Sequence, residues 1–143
     1  MAVKAWDHFS DAGRLILTAG AVAAPLVRRR DAHGSFNALT SVLAVAAASK
    51  ASKAFWRERR PNGEDNKSFP SQHSAECFAA ATTVERELGG GIGAAAVSLA
   101  TAVSMARIFC GKHHIVDVIA GAGMGITAAN IISSTAPAGR SEA

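Results

Sequence analysis

The residues of this sequence that are equipped for chemistry are cations and histidines in three short groups. The first group is Lys53 with Arg60-Pro61. Seven residues make about two helical turns, so both cations are expected on one face at the end of a helix that Pro61 stops. Such side chains neutralise the oxygens of a phosphoryl group, and arginine does so through bidentate hydrogen bonds. The spacing therefore predicts a cationic helix end that suits an anion.

The second group is the segment 70–73, which reads Pro-Ser-Gln-His. A Pro-Ser turn that opens onto a helix leaves unpaired backbone N–H groups at the helix start, and these groups attract an anion. The segment therefore predicts a second anion-binding feature, with His73 directly beside it.

The third group combines Arg107, His113 and Asp117. Because His113 and Asp117 are four residues apart, a helix would let the carboxylate hold one imidazole nitrogen and fix the tautomer of the ring. Together the three groups supply what a phosphoryl transfer needs. Cations neutralise the oxygens, one histidine attacks, and the other protonates the leaving oxygen.

Each group also has a simpler structural explanation. Lys53 belongs to a basic stretch with Arg57 and Arg59, which suits a solvated or headgroup-binding face. Arg107 is placed to cap the C-terminus of a helix, and Asp117 to complement the dipole at the start of the next one. His73 suits the start of a helix, and His113 with His114 suits a polar turn. The order and spacing of all three groups favour a catalytic site over these separate explanations.

In this order and at these spacings, the three groups resemble the signature of the type 2 phosphatidic acid phosphatase superfamily. The matching residues are Lys53-x6-Arg60-Pro61, Pro70-Ser71-Gln72-His73 and Arg107-x5-His113-x3-Asp117. The resemblance spans residues 53–117, which is 65 of the 143 residues. The superfamily also includes bacterial acid phosphatases, lipid diphosphate phosphatases and vanadium haloperoxidases.

The resemblance implies a role for each matching position. His113 would be the nucleophile that forms a phosphohistidine, Asp117 would orient it, and His73 would be the general acid for the leaving group. The groups that would hold the phosphate oxygens are the side chains of Lys53, Arg60, Ser71 and Arg107 and the backbone N–H of Gln72. Enzymes of this kind need no metal, so neither a metal nor a cofactor is expected. His114 is out of register with the motif and receives no role.

Two positions depart from the family pattern. Gln72 stands where the family usually has Gly, so it lacks the freedom of Gly at positive φ and adds bulk beside the phosphate. Ala106 stands where the family usually has Ser, which removes a hydroxyl next to Arg107. Both departures bear on substrate range and rate rather than on the type of reaction.

Uncharged runs predict the helices that must position these groups. Runs of 19 and 22 uncharged residues, at 88–106 and 118–139, are long enough for a membrane span of about 20 residues. Shorter runs of 13 and 16 residues, at 15–27 and 34–49, would need flanking arginine or lysine side chains that reach the interface.

We expect an all-α fold, a compact bundle of about five helices embedded in a membrane, with the active site at one end of the bundle. Gly121 and Gly125 have the small-xxx-small spacing of a close helix contact in lipid. A soluble all-α bundle with alanine-rich helix faces is the alternative. The expected helices lie near 10–28, 35–58, 73–88, 91–110 and 114–133.

Length, cysteines and charge narrow the class of protein further. The 143 residues suit one domain, which we place at 1–134, followed by a short tail at 135–143. Cys77 and Cys110 lie far apart in apolar stretches, which excludes a disulfide scaffold. The formal net charge is +4, and three of the cations are assigned to the phosphate site. The charge therefore does not indicate a nucleic-acid partner.

The sequence thus predicts a metal-independent phosphatase that hydrolyses a lipid phosphate or diphosphate monoester through a phosphohistidine. We expect a multi-pass protein of the cell membrane. The arginines at 28–30 favour the cytoplasm for the opposite side, but the motif side has more lysine and arginine in total. An active site that faces outward is therefore implied by the resemblance alone. The alternatives are a broad-specificity acid phosphatase, a vanadate-dependent haloperoxidase and a non-enzymatic membrane protein that binds anionic headgroups. Neither the lipid nor the oligomeric state follows from the sequence.

Overall fold

The computed structural model describes residues 2–135, and these residues form five α-helices without a β-strand. The helices are α1 (Ala2–Arg29), α2 (Ala32–Phe55), α3 (Gln72–Leu88), α4 (Gly90–Phe109) and α5 (Ile115–Thr135). The expected all-α bundle of five helices is confirmed. The single domain at 1–134 stays a prediction. Except for residue 135, the expected tail at 135–143 lies outside the described residues.

The first helix begins at Ala2, about two turns earlier than the sequence predicts. Tertiary contacts stabilise these extra turns. The carboxylate of Asp7 accepts a hydrogen bond from Arg107 of α4 at 2.5 Å. Trp6 packs on Phe109, with the ring centroids 5.8 Å apart. Residues 2–9, which the predicted helix near 10–28 left out, therefore belong to the bundle.

The second helix ends at Phe55, so Pro61 does not stop it as predicted. The backbone beyond the helix bonds to the following loop instead, where the Arg60 N–H donates to the carbonyl of Asp65 at 3.0 Å. The predicted helical face shared by Lys53 and Arg60 is therefore wrong. Lys53 lies in the last turn of α2, and Arg60 lies in the loop.

The third helix lies at the centre of the bundle and contacts each of the other four helices. Its small side chains permit this position, because Ala75, Ala79 and Ala80 are fully buried. Gly121 and Gly125 place α5 directly on the backbone of α3, and a Cβ atom at either glycine would collide with it. The small-xxx-small spacing therefore serves a close helix contact, with α3 as the partner.

The helices alternate in direction, so their ends form two surfaces. The motif end contains the starts of α1, α3 and α5, the ends of α2 and α4, and the loop at 56–71. The opposite end contains the α1–α2 corner, the α3–α4 corner at Gly89 and the end of α5. All three groups from the sequence lie at the motif end, as expected.

Within residues 2–135, α4 and α5 are the helices long and apolar enough to cross a membrane. Only 39% and 28% of their apolar windows are buried inside the bundle, so most of each window faces outward. The outward-facing apolar side chains of these helices include Ile92, Val97, Met105, Ile119, Ile126 and Ile131. Spans formed by α1 and α2 stay a prediction.

Candidate active site

The loop at 56–71 brings the three groups together. The Asn62 N–H donates to the carbonyl of Gly111 at 2.9 Å, which fixes the loop to the turn before α5. The Ser71 N–H donates to the carbonyl of Asp117 at 3.0 Å, which fixes the end of the loop to α5 itself. The start of α3 therefore lies against the start of α5.

The predicted nucleophile, His113, lies in the turn at 110–114 and is only 2% exposed. Its Nδ1 is 2.7 Å from the carbonyl oxygen of Ser68. Because a carbonyl oxygen only accepts, Nδ1 carries the proton and Nε2 keeps its lone pair. The ring is thereby held as the tautomer that a nucleophile needs.

Asp117 orients His113 less directly than the resemblance implies. Its Oδ2 lies 3.6 Å from Nδ1 of His113, beyond hydrogen-bond distance. This oxygen accepts instead from the Ser68 hydroxyl at 2.5 Å and from the His114 N–H at 2.8 Å. The bond to His114 caps the start of α5, so the simpler explanation of Asp117 is also correct. Ser68 connects the pair, since its hydroxyl bonds to Asp117 and its carbonyl to His113.

Three cations act on the His113 ring. Burial, reinforced by the positive charges of Lys53, Arg60 and Arg107, lowers the pKa of His113 to about 3. The imidazole is therefore uncharged at neutral pH, and its Nε2 keeps its lone pair. The predicted phosphate-binding cations thus gather around the predicted nucleophile, although they come from α2, the loop and α4.

Both arginines are held by carboxylates. Arg107 is 6% exposed, and its Nη1 donates to Asp7 at 2.5 Å and to the Ser10 hydroxyl at 2.9 Å. Its Nε is buried without a hydrogen-bond partner within residues 2–135. The Nε of Arg60 donates to Asp65 at 2.6 Å. Each guanidinium group is fixed in position and keeps N–H groups for an anion.

Lys53 differs from the arginines because it forms no ion pair within the described part of the chain. Burial lowers the pKa of its ammonium group, and the charge of Arg60 lowers it further. A phosphate dianion beside Lys53 would relieve both effects. Its placement therefore suits the predicted role.

Ser71 is the N-cap of α3 and is fully buried. Its hydroxyl accepts from the hydroxyl of Ser74 at 3.1 Å, and Ser74 accepts in turn from Ser104 at 2.9 Å. This hydroxyl chain joins the start of α3 to α4. The proposed contact of Ser71 with phosphate stays a prediction.

Gln72 was expected to lack the backbone freedom of glycine and to add bulk beside the phosphate, but neither effect causes a difficulty in the structure. It is the first residue of α3 and is not at positive φ, since Arg30 is the non-glycine residue with positive φ in the described chain. Its amide nitrogen donates to Glu76, one turn further along the helix, at 2.6 Å. The added bulk is therefore directed along α3, and the Gln72 backbone needs none of the freedom of glycine.

The predicted general acid, His73, bonds to a residue of the first helix. Its Nε2 is 2.8 Å from Oδ1 of Asp11. The pKa of His73 is lowered by burial and by the charge of Arg107, and the hydrogen bond to Asp11 offsets this only in part. The ring is 19% exposed, so it borders both the bundle and the outside.

Ala106 is fully buried in the packing of α4. A hydroxyl nevertheless lies beside Arg107, because Ser10 of α1 accepts a hydrogen bond from it. The loss of the usual serine is therefore matched by a hydroxyl from another helix.

Four residues of the site were missed by the sequence analysis: Asp7, Ser10, Asp11 and Ser68. A signal existed for the carboxylates, because Asp7 and Asp11 lie four residues apart on one face of a helix. Ser68 had no such signal, since its contact with His113 uses a backbone carbonyl.

Glu58, His114 and Asp117 bring three possible metal-ligand atoms within 4.8 Å of one another. The Oδ2 of Asp117 already accepts two hydrogen bonds, whereas its buried Oδ1 has no hydrogen-bond partner within the described residues. The positive charge of nearby Lys53 opposes a cation there. The expected independence of metal stays a prediction.

Sequence comparison identifies the family. The sequence model of the PAP2 superfamily matches residues 34–140, most of the chain. The chain belongs to the PAP2 superfamily. The resemblance carried by the three groups is thereby confirmed. The match begins inside α2, so α1 lies outside it. No curated protein sequence matches this chain significantly.

Solved structures of two other proteins share the fold. The crystal structure of Aquifex aeolicus LpxE is similar with a TM-score of 0.76 and 22% identity, over 93% of this chain and 86% of LpxE. That of the first transmembrane PAP2 type phosphatidylglycerolphosphate phosphatase from Bacillus subtilis has a TM-score of 0.63 and 19% identity, over 97% of this chain and 80% of that protein. At these identities the likeness shows the fold, and family membership supports a phosphatase.

Proposed function

We propose that this PAP2 protein is a metal-independent phosphatase that hydrolyses a lipid phosphate or diphosphate monoester through a phosphohistidine. The observation that carries the proposal is the state of His113. The ring is buried and uncharged at neutral pH, its Nδ1 proton is held by the Ser68 carbonyl, and the charges of three cations act on it. This is the arrangement of a nitrogen nucleophile that faces a phosphate.

In the first step, Nε2 of His113 attacks phosphorus and the bond to the leaving oxygen breaks. His73 gives its proton to that oxygen. Lys53, Arg60 and Arg107 hold the charge on the remaining oxygens, with Ser71 and the Gln72 N–H. In the second step, water attacks phosphorus, His73 accepts a proton from it, and free phosphate leaves His113.

The proposed substrate is a lipid because of the surroundings of the site. The outward faces of α4 and α5 are apolar, and the motif end lies where both helices meet the loop at 56–71. In a bilayer, a site at this height lies among the headgroups. We place the protein in the cell membrane as a multi-pass protein with the motif end outward.

The test is phosphate release by the detergent-solubilised protein in EDTA, from a panel of lipid phosphates, lipid diphosphates and water-soluble phosphate esters. We expect release from a lipid substrate, and we expect His113→Ala to abolish it. The matched control is His33→Ala, because His33 is an exposed histidine at the opposite end. That variant should retain full activity.

Other outcomes would replace the proposal with an alternative. Equal or greater activity on water-soluble esters indicates a broad-specificity acid phosphatase, and halide oxidation with added vanadate indicates a haloperoxidase. If the wild type releases no phosphate, binding to anionic headgroups is measured instead. A non-enzymatic protein is indicated if charge reversal at Arg57 or Arg59 weakens this binding as much as loss of His113 does. Undiminished release by His113→Ala contradicts the mechanism directly.

A further inference from the structure

The first helix ends before the matched residues 34–140 begin, yet one of its faces lies on the site. On this face Asp7 bonds to Arg107 at 2.5 Å, and Oδ1 of Asp11 lies 2.8 Å from Nε2 of His73. Two residues with predicted roles in the reaction are therefore bonded to carboxylates of α1.

Two contacts fix the position of this face. Gly13 packs so closely on α4 that an added Cβ atom would lie 2.5 Å from a side chain there. Arg14 donates to the carboxylate of Glu76 in α3 at 2.8 Å, and the Glu76 side chain is only 6% exposed. Asp11 comes directly before these contacts on the same rigid helix. Its carboxylate is thereby held beside His73.

We propose that Asp11 is the positioning residue of the general acid His73, an inference that rests on the proposed phosphatase function. The carboxylate accepts a hydrogen bond from Nε2–H of the protonated ring. Nδ1 forms no hydrogen bond within residues 2–135, so Nδ1–H is the group left to protonate the leaving oxygen.

The proton movements balance in both steps. In the first, the N–P bond to His113 forms, the P–O bond to the leaving group breaks, and the leaving oxygen takes the Nδ1 proton of His73. The ring is then neutral, with Nε2–H still bonded to Asp11. In the second, Nδ1 accepts a proton from the attacking water, and the electron pair of the N–P bond returns to His113. The tautomer that Asp11 holds is therefore the base of the second step.

The charges around His73 give Asp11 a second effect. Arg107 from α4 and Arg14 from α1 both disfavour the protonated ring, as burial does. Glu76, on the same helix as His73, is already bonded to Arg14. Asp11 is the group that favours the protonated ring, which is the state a general acid needs when the substrate binds.

The test compares Asp11→Asn with the wild type on two substrates that differ in their leaving group. The leaving group of short-chain phosphatidate is the alkoxide of a diacylglycerol, which needs a proton, whereas the leaving group of p-nitrophenyl phosphate is p-nitrophenolate, a stable anion. We expect kcat to fall about 10²-fold on phosphatidate and to change little on p-nitrophenyl phosphate. The basic limb of the phosphatidate pH profile should move to lower pH, because the lost charge no longer holds the proton on His73.

The controls separate positioning from structure. Asp11→Glu should restore most of the phosphatidate activity, and adding Asp11→Asn to His73→Ala should cause no further loss. Asp31→Asn removes a carboxylate at the opposite end, where Asp31 makes no side-chain cap, and should leave both substrates unaffected. An equal loss on both substrates, or no loss on either, overturns the inference. Phosphate release by the wild type from none of the lipid phosphates and lipid diphosphates of the panel would overturn the proposed function instead.

Discussion

The two ends of the bundle both gather arginines, carboxylates and a histidine, but they use them differently. At the opposite end, Arg86 donates to Asn130 at 2.7 Å and to the Ala129 carbonyl, and Arg29 lies 3.7 Å from Glu87. These contacts close helix ends. At the motif end, burial and the charges of Lys53, Arg60 and Arg107 lower the pKa of the His113 imidazole to about 3.

Open volume alone does not identify the site, because a cavity of about 500 Å³ lies at the opposite end and is lined by Arg29, His33 and Arg86 among others. It contains no nucleophile with a fixed tautomer. A site of this kind is therefore recognised by the state of its histidine and by the cations that act on it, rather than by open volume.

The sharpest test of this difference replaces one arginine with glutamine at each end of the bundle. Arg107→Gln should lower kcat about 10²- to 10³-fold, because it removes a buried charge from the oxygens of the transferring group. Arg86→Gln should retain nearly wild-type kcat and lose stability, since its partners are at the end of α5. The measurements are kcat on a lipid phosphate and the thermal unfolding midpoint. Comparable kcat losses in the two variants would remove the distinction between the ends.

A second pair of variants tests whether tight packing at the two ends has different consequences. A Cβ atom at Gly121 would collide with Ser71 at the start of α3, and one at Gly93 would lie 2.9 Å from Glu85 Cα. Both Gly→Ala changes should lower the free energy of unfolding, by about 1–3 kcal/mol. Only Gly121→Ala should also lower kcat, about 10- to 100-fold, because it moves the turn that carries His73.

The control for this pair is Gly123→Ala, since no atom lies within 4 Å of a Cβ atom there. It should unfold no more easily than the wild type, because alanine favours the helix. A loss of kcat in Gly93→Ala as large as that in Gly121→Ala would contradict the prediction, because packing at the opposite end would then also affect the site.

The residues of the motif end could be chosen from the sequence because their order and spacing carry the family pattern. Their placement could not always be predicted. Arg60 was expected on a helix, but the backbone bond to Asp65 and the turn of the loop outweigh helix continuation. Asp11 required knowledge of how α1 packs on α3 and α4, which depends on close contacts such as that of Gly13. Long-range packing of this kind leaves little trace in local pattern.

The smallest expected effect concerns Gln72, where the sequence departs from the family. Gln72→Gly restores the usual residue, yet the backbone is helical there and the amide bonds to Glu76. We expect kcat to stay close to that of the wild type, and the free energy of unfolding to fall by up to about 1 kcal/mol. Gln72→Ala is the control, because it removes the same amide without adding backbone freedom. A large rise in kcat for glycine but not for alanine would show that the motif end needs backbone freedom at the start of α3. It would then differ from the opposite end in flexibility as well as in chemistry.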